Sequence, residues 1–478
     1  MLFNSFRFLI FFPVVASVYF LLPHRFRWMW LLAASCLFYM AFIPVYILIL
    51  LITISIDYVA AIYIERSAGD KRKFYLVLSI VSTCLVLFIF KYFNFFNANF
   101  TRLAEFLHWN YPVNNLSLIL PIGLSFHTFQ SLSYVIEVYR GKQKAEHHFG
   151  IYALYVMFFP QLVAGPIERP QNLLHRFYEK HDLNYERITS GLKLMLWGLF
   201  KKVVIADRLA VFVNQVYNHP HDYYGRIVIW ITYCFAVQIY CDFSGYTDIA
   251  RGSARVLGID LMKNFKSPYF ATSVGEFWQR WHISLSTWFR DYLYIPLGGN
   301  RVFKWQWYGN LLVVFLVSGL WHGANWTFIV WGLLHGFYLL ISVATQTWRD
   351  KIAGFFFSGW LKGMRRVWQT FVTIHLVCFA WIFFRANSIQ DAFAIIRSIF
   401  SPGSTKTMDY VEGFNLKEKL FILACIVLME LIQTNKKDWL KFFAQSPLPV
   451  RWAVYYGFIF FILFFGAYKT QQFIYFQF

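Results

Sequence analysis

The chain has 478 residues, of which 58% are hydrophobic, 22% aromatic and only 14% charged, with a mean hydropathy of +0.47. This composition excludes a soluble globular protein and indicates an integral membrane protein. The net charge of +20 does not indicate a nucleic-acid-binding protein, because Lys and Arg occur in short clusters between apolar segments. Such clusters mark membrane topology and contact lipid headgroups.

The apolar segments predict an all-α fold. Segments of roughly 17–25 residues suit helices that cross a ~30 Å hydrocarbon core, whereas barrel strands are only ~10 residues long and alternate in polarity. We predict about eleven crossings plus re-entrant and interfacial helices, in one polytopic membrane domain over residues 1–478. The apolar runs lie at about 8–22, 28–43, 45–64, 74–96, 116–138, 150–164, 188–206, 226–241, 310–323, 326–344, 367–384, 418–433 and 452–468.

Three of these runs have special features. Run 8–22 is predicted to be a retained first span, since no small-residue cleavage site precedes Pro23. Runs 116–138 and 150–164 contain prolines and glycines, which predict re-entrant or kinked segments. Irregular backbone at membrane depth requires burial in protein or contact with a wet cavity.

The distribution of basic residues predicts the orientation. Segments 97–115 and 386–416 are poor in Lys and Arg and are expected to be external. Counting outward from the last basic cluster places Phe478 outside the cell. The predicted cytoplasmic clusters are Arg25 and Arg27; Arg66, Lys71, Arg72 and Lys73; Arg140, Lys142 and Lys144; Arg349, Lys351, Lys362, Arg365 and Arg366; and Lys436, Lys437 and Lys441.

Region 242–309 is aromatic and amphipathic rather than uniformly apolar. This pattern predicts helices that lie at the cytoplasmic interface or form the wall of a funnel. The glycine turn at 298–301 would lie at the mouth of that funnel.

His322 is the first candidate site residue, because an ionisable imidazole is costly in hydrocarbon unless it faces protein or water. A structural histidine among aromatic side chains is the alternative. A desolvated imidazole tends to stay neutral, as a general base requires. The neighbours that favour a site are two glycines, a polar partner and two aromatic walls: Gly319, Gly323, Asn325, Trp321 and Trp326.

His282 is the second candidate, and an interfacial histidine bonded to backbone is its alternative interpretation. A metal site formed by His282, His322 and His335 is poorly supported, since their spacing does not match that of zinc ligands. We therefore expect no metal. The six cysteines form no CxxC pair, so we expect free thiols.

Two polar clusters interrupt the apolar pattern. Asp242, Ser244 and Asp248 are predicted to form a polar, glycine-broken turn that ends an apolar run, and pairing with cytoplasmic-side arginines is the favoured interpretation. Glu168 and Arg169 are expected to hold together the turn after run 150–164. The absence of Walker, GxSxG and GxGxxG motifs excludes a nucleotide hydrolase and an in-chain serine hydrolase.

The C-terminal residues 473–478 are aromatic, although a solvated tail would be polar. They form either an interfacial anchor or a tail that folds back into the protein. A tail of nine residues, 470–478, spans ~30 Å when extended, and half of the hydrocarbon core is only ~15 Å thick. The tail is therefore long enough for Tyr475 to reach His322 at mid-membrane.

In these motifs the chain resembles the membrane-bound O-acyltransferase superfamily, and within it the bacterial polysaccharide O-acetylation branch. No single motif decides the resemblance, but their order and completeness do. The matching segments are 1–6, 165–170, 238–248, 277–301, 320–326, 381–386 and 473–478.

The resemblance implies that His322 is the catalytic histidine, His282 a second active-site residue and Tyr475 an acyl-carrying relay. It implies a tunnel that delivers an acyl group from a cytoplasmic thioester, acetyl-CoA or another donor, to an extracytoplasmic partner of the SGNH-hydrolase type. No permanently bound cofactor is expected. The implied location is the bacterial inner membrane, with an extracytoplasmic tail at 470–478.

On this hypothesis the donor enters the funnel of region 242–309. A transporter or flippase is the main alternative, although no inverted repeat is found; an acyltransferase that acts on a lipid at the cytoplasmic face is the second. The residues expected to contact the donor are Trp278, Trp281, Arg290, Asp291, Asn300 and Arg301.

Overall fold

The structure is a computed structural model whose described residues are 1–356, 362–401, 410–415, 417, 418, 420, 421, 424, 446–467 and 473–474. The regular elements within these ranges are helices, which confirms the predicted all-α class for this part of the chain. The α-helices are α1 (Phe6–Leu21), α2 (His24–Met40), α3 (Ile47–Arg66), α4 (Gly69–Leu87), α5 (Phe93–Phe106), α6 (Leu124–Tyr139), α7 (Phe149–Met157), α8 (Phe159–Leu162), α9 (Pro170–Leu173), α10 (Tyr185–Leu199), α11 (Asp207–Tyr217), α12 (Arg226–Val256), α13 (Val274–Arg280), α14 (Ile283–Phe289), α15 (Lys304–His322), α16 (Trp326–Ala344), α17 (Gln346–Phe356), α18 (Lys362–Arg385), α19 (Ile389–Phe400) and α20 (Leu448–Phe465). The described residues also include three π-helical segments: Phe88–Tyr92 joins α4 to α5, Phe200–Ala206 joins α10 to α11, and Arg290–Tyr294 extends α14 into a turn.

Six helical stretches within the described residues are long and apolar enough to cross a membrane. The predicted number of about eleven crossings stays a prediction. The six stretches are Pro44–Arg66, Gly69–Phe106, Arg226–Val256, Trp326–Ala344, Gly363–Arg385 and Leu448–Phe465.

The chain divides into two compact units. The first comprises Met1–Trp197 and Tyr246–Met262, and the second comprises Gly198–Gly245 and Lys263–Phe478. In the first unit, α3 packs against both α4 and α6. The buried Asp57 on α3 is stabilised there, because its Oδ1 accepts hydrogen bonds from the hydroxyls of Ser79 (2.6 Å) and Thr83 (3.0 Å).

Both interrupted runs of the first unit are broken where the sequence predicts. Run 116–138 becomes helical only at Leu124, after Gly123, whose φ of +80° favours glycine. Run 150–164 breaks at Phe158, and α8 restarts with Pro160 in its first turn, where the missing proline N–H costs no helical hydrogen bond.

The predicted turn at 242–248 is wrong, since α12 runs without interruption to Val256. Gly245 does not end the helix but permits a close approach within the second unit. A Cβ atom on Gly245 would lie 2.8 Å from the carbonyl oxygen of Gly198. The glycine therefore serves helix packing, which a sequence pattern cannot distinguish from helix termination.

Two glycines also bring α15 and α16 together in the second unit. A Cβ on Gly319 would lie 2.4 Å from the carbonyl oxygen of Phe328, and one on Gly332 would lie 2.3 Å from that of Phe315. Only glycine permits such backbone contact. This packing fixes the end of α15, where His322 lies, against α16.

Candidate active site

His322 is the last residue of α15 and is buried. Its Nδ1 lies 2.6 Å from the carbonyl oxygen of Ser318, one helical turn earlier. Because a carbonyl oxygen only accepts, Nδ1 carries the proton and donates it. In the neutral ring, Nε2 is then the basic nitrogen, as general-base chemistry requires.

Aromatic rings surround His322, and they include Trp321, which the sequence predicts. The ring centroid of Trp321 lies 4.9 Å from that of His322. The other neighbours are Trp331 on α16, at 4.7 Å, and Phe384 on α18, at 5.6 Å. Trp326 is 50% exposed at the start of α16, and its role as a wall of the site stays a prediction. Trp331 and Phe384 were missed because they approach only after the helices pack.

The sequence predicts Asn325 as a polar partner of His322, but the structure places it as the cap of α16, bonded to other groups. Its Oδ1 accepts from the backbone N–H of Thr327 (3.0 Å), the preferred interaction of an N-cap residue. Its amide nitrogen donates to the carbonyl oxygen of Asn387 (3.1 Å). The amide therefore caps α16 and ties its start to the backbone between α18 and α19.

His282 has an unusual backbone conformation, with φ +43° and ψ +55° at the start of α14. A non-glycine residue rarely adopts this left-handed conformation unless its surroundings enforce it. The buried Asn264 does so: its carbonyl oxygen accepts from the N–H of Ile283 (2.9 Å) and its Oδ1 from that of Ser284 (3.1 Å). Asn264 belongs to no recognisable sequence motif, so the sequence analysis missed this role.

The ring of His282 lies near the aromatic surroundings of His322. Its centroid is 4.6 Å from that of Phe243 and 6.1 Å from that of Trp321, which also contacts His322. Burial lowers the pKa of His282 well below its ordinary value, and the nearby His322 lowers it further. His282 is therefore neutral at pH 7, which suits a hydrogen-bonding role more than an ionic one.

His335, the third histidine of the considered metal site, is buried on α16 and has an aromatic partner. The indole Nε1 of Trp278 donates to its Nδ1 at 3.3 Å. The described residues include no group of three or more His, Cys, Asp or Glu side chains arranged to hold a metal ion.

A cavity of about 560 Å³ lies beside residues that contact His322 and His335. Its lining includes Ser318, the hydrogen-bond partner of His322, and two of the predicted donor contacts, Trp278 and Arg290. Arg290 Nε donates to the carboxylate of Asp291 (2.8 Å). The lining thus includes both the exposed Arg290, which is paired with Asp291, and Ser318, whose carbonyl oxygen orients His322.

The remaining predicted donor contacts do not line this cavity. Trp281 is buried and stacks on Phe277, with 5.5 Å between ring centroids. Asn300 and Arg301 are exposed in the turn before α15. These residues were grouped because they are close in sequence, but in the fold Trp281 is buried whereas Asn300 and Arg301 are exposed.

Asp242 pairs with a lysine, not with an arginine as predicted. Its Oδ1 lies 2.8 Å from Nζ of Lys202, in the π-helical segment Phe200–Ala206. Ser244 accepts a hydrogen bond from the neighbouring Lys201 (2.9 Å). Asp248 lies 3.3 Å from Arg251, and the expected cytoplasmic position of this pair stays a prediction.

The start of the aromatic tail is buried in the second unit. Phe473 and Ile474 are 1% and 2% exposed. The ring of Phe473 lies 6.0 Å from Phe243, the same ring that packs on His282. Tyr475 lies outside the described residues.

Comparison with known proteins gives the family. Residues 144–384, just over half of the chain, match the family model described as MBOAT, membrane-bound O-acyltransferase family. The chain belongs to the membrane-bound O-acyltransferase family. It is therefore a multi-pass membrane protein and an acyltransferase, which decides against the transporter alternative. His282 and His322 both lie within the matched range.

Named relatives extend the similarity beyond that range. The chain is 33% identical to a peptidoglycan O-acetyltransferase of Helicobacter pylori, over 92% of each chain. It is 37% identical to a probable alginate O-acetylase AlgI of Pseudomonas aeruginosa, over 84% of this chain and 75% of the relative. A teichoic acid D-alanyltransferase of Bacillus subtilis is 28% identical over 58% of this chain and 70% of its own.

Glu168 also lies within the family range, but in the first unit. Its carboxylate accepts a hydrogen bond from the backbone N–H of Met262, and its carbonyl oxygen accepts one from the hydroxyl of Tyr155 (2.9 Å). Glu168 thus holds this part of the chain through both its side chain and its backbone. The Arg169 guanidinium instead lies 3.5 Å from the hydroxyl of Ser133.

Proposed function

We propose that this acyltransferase moves an acetyl group from a cytoplasmic thioester, acetyl-CoA or another donor, across the inner membrane to a cell-surface or exopolysaccharide. The acceptor would be alginate, peptidoglycan, cellulose or a similar polymer. Similarity to a peptidoglycan O-acetyltransferase and to a probable alginate O-acetylase supports the acetyl group and the polymer class. We further propose His322 as the general base and Tyr475 as the acyl carrier.

The observation that carries this proposal is the buried start of the tail. An interfacial anchor would place its aromatic side chains among lipid headgroups. Phe473 and Ile474 are instead almost completely buried, and Phe473 contacts the ring that packs on His282. Tyr475 follows within one peptide unit, about 3.8 Å between Cα atoms. The burial therefore favours a tail that folds back into the protein and disfavours an interfacial anchor.

The chemistry needs a base, because a tyrosine hydroxyl with an ordinary pKa of about 10 is a poor nucleophile at pH 7. Nε2 of His322 takes the phenol proton as the oxygen attacks the thioester carbonyl. The C–S bond then breaks, and the imidazolium returns the proton to the departing thiolate. His282 would position the reacting groups through hydrogen bonding.

The second transfer needs no further energy source. A nucleophile of an extracytoplasmic SGNH-hydrolase-type partner attacks the acetyl-tyrosine carbonyl, the phenolate leaves, and a proton restores the phenol. A phenyl ester is more activated than a sugar ester, so transfer to the polymer is downhill. The aromatic rings around His322 exclude water and so limit wasteful hydrolysis.

The donor would occupy the cavity beside Ser318. Arg290 at its lining offers a cation for an anionic donor, and Trp278 and Phe315 offer apolar contact. We propose that this cavity opens to the cytoplasm, and that about eleven crossings surround a tunnel that ends at an extracytoplasmic C-terminus.

Tyr475→Phe tests the relay, because it removes one oxygen and keeps the ring. We expect polymer acetylation to be lost. With the outer partner deleted, mass spectrometry of the C-terminal peptide should show an acetyl group on Tyr475 that disappears in His322→Gln. A fully active Tyr475→Phe variant with an unmodified peptide would refute the relay and leave direct transfer from thioester to partner. Acetylation of a membrane lipid instead of the polymer would indicate the lipid-modifying alternative.

A further inference from the structure

A group of buried charges lies in the second unit where α12 meets the π-helical segment Phe200–Ala206. Nζ of Lys202 lies 2.7 Å from Asp207 and 2.8 Å from Asp242, and all three side chains are at most 6% exposed. Burying charges is costly even when they are paired, so such a group is weak support for a purely stabilising role. This favours a specific task for the group.

A contact between this charged group and the C-terminal tail indicates what that task is. Oδ1 of Asp242 faces Lys202, and Oδ2 accepts a hydrogen bond from the backbone N–H of Ile474 at 3.0 Å. One carboxylate thus connects the buried ion pair with the C-terminal tail. The chain just before the tail is fixed on the same segment, because the N–H of Ala467 donates to the carbonyl oxygen of Val203 (3.1 Å).

The packing of α12 explains why Asp242 is available for this contact. Gly245 lies three residues later on the same helix and hence on a similar face. A Cβ at Gly245 would lie 3.2 Å from the backbone nitrogen of Lys202, so the missing side chain permits the approach. The carboxylate is then held by Lys202 in a fixed position, which pre-organises it to receive a backbone N–H.

We infer that Asp242, oriented by Lys202, is a positioning residue that docks the C-terminal tail through the backbone N–H of Ile474. This inference rests on the proposed function for its catalytic consequence, because the next residue is the proposed acyl carrier Tyr475. The contact is to backbone and independent of side-chain identity at 474. The carboxylate therefore holds the backbone of the tail at Ile474, the residue that precedes the proposed acyl carrier.

Hydrogen exchange of the tail tests the docking without depending on catalysis. The full-length protein in lipid nanodiscs is compared with Asp242→Ala, and exchange of the C-terminal peptide is followed by mass spectrometry. We expect exchange to rise at least 10-fold and polymer acetylation in cells to fall at least 10-fold. Asp248→Asn is the matched control, because this carboxylate lies on the same helix but pairs with Arg251. It should change neither quantity.

A second pair of variants covers a failure of Asp242→Ala to fold, since that change leaves Lys202 with one fewer buried partner. Ile474→Pro removes the N–H donor and leaves the ion pair intact, whereas Ile474→Val keeps the donor. We expect the proline variant to lose tail protection and acetylation, and the valine variant to keep both. Protection that is equal in both variants overturns the inference.

The outcomes separate this inference from the proposed function. A folded Asp242→Ala variant with unchanged exchange of the C-terminal peptide refutes the docking, whether or not Tyr475 carries the acetyl group. Increased exchange in Asp242→Ala, combined with full activity of Tyr475→Phe, supports the docking and refutes the relay. Increased exchange combined with an inactive Tyr475→Phe supports both.

Discussion

The contact between α15 and α16 can be tested at Gly319. In Gly319→Ala the new Cβ would lie 2.4 Å from the carbonyl oxygen of Phe328, and ordinary contact begins at 3.4 Å. The difference, 3.4 − 2.4, requires the helices to separate by about 1.0 Å. A backbone carbonyl cannot rotate away as the end of a flexible side chain can. His322, three residues later, must therefore move relative to Trp331 on α16.

The magnitude follows from two effects. Forcing an extra methyl group into a packed interface costs about 1–3 kcal/mol, partly offset by the helix propensity of alanine, which is favourable by about 1 kcal/mol over glycine. Misplacement of a catalytic group by about 1 Å costs on the order of 100-fold in rate. We therefore expect a modest loss of thermal stability and a loss of acetylation of about 100-fold.

The assay compares Gly319→Ala with Gly309→Ala. Gly309 lies on the same helix, and a Cβ there meets no atom within 4 Å. Polymer acetylation, normalised to the amount of protein in the membrane, should remain near the unsubstituted level in Gly309→Ala. Thermal stability is measured by the fraction of protein that stays monodisperse in detergent after heating. Full activity and stability of Gly319→Ala would refute the argument that backbone contact positions His322.

Two further predictions concern the histidines and the topology. His322→Gln keeps much of the side-chain volume among three rings but removes the base, so acetylation should fall about 100- to 10,000-fold while the protein stays folded. His282→Ala should reduce activity less, and an equal loss would indicate a shared proton relay. In a cysteine-free background, Glu412→Cys should react with an impermeant external thiol reagent and Lys351→Cys should not; both positions are exposed in the structure, and the reverse pattern would invert the proposed orientation.

The sequence by itself determined the class of the protein. Long apolar segments require helices in a bilayer, because backbone polar groups must be satisfied within each segment. The prolines and glycines of runs 116–138 and 150–164 correctly located two breaks, since the chemistry of those residues acts locally. His322 stood out for a similar reason, as an ionisable group in apolar sequence is costly wherever the chain folds.

The tertiary structure alone decided which residues meet. Gly245 and the polar residues around it resemble a turn in sequence, yet they lie within α12, because the glycine serves a backbone contact with a distant segment. Trp331 packs against His322 although it lies nine residues further along the chain, since neighbours across a helix pair depend on the packing of Gly319 against α16. The hydrogen bond between Asp242 and Ile474 joins residues 232 positions apart. No local pattern encodes such a contact, because it forms only when the packed helices bring the tail to the carboxylate.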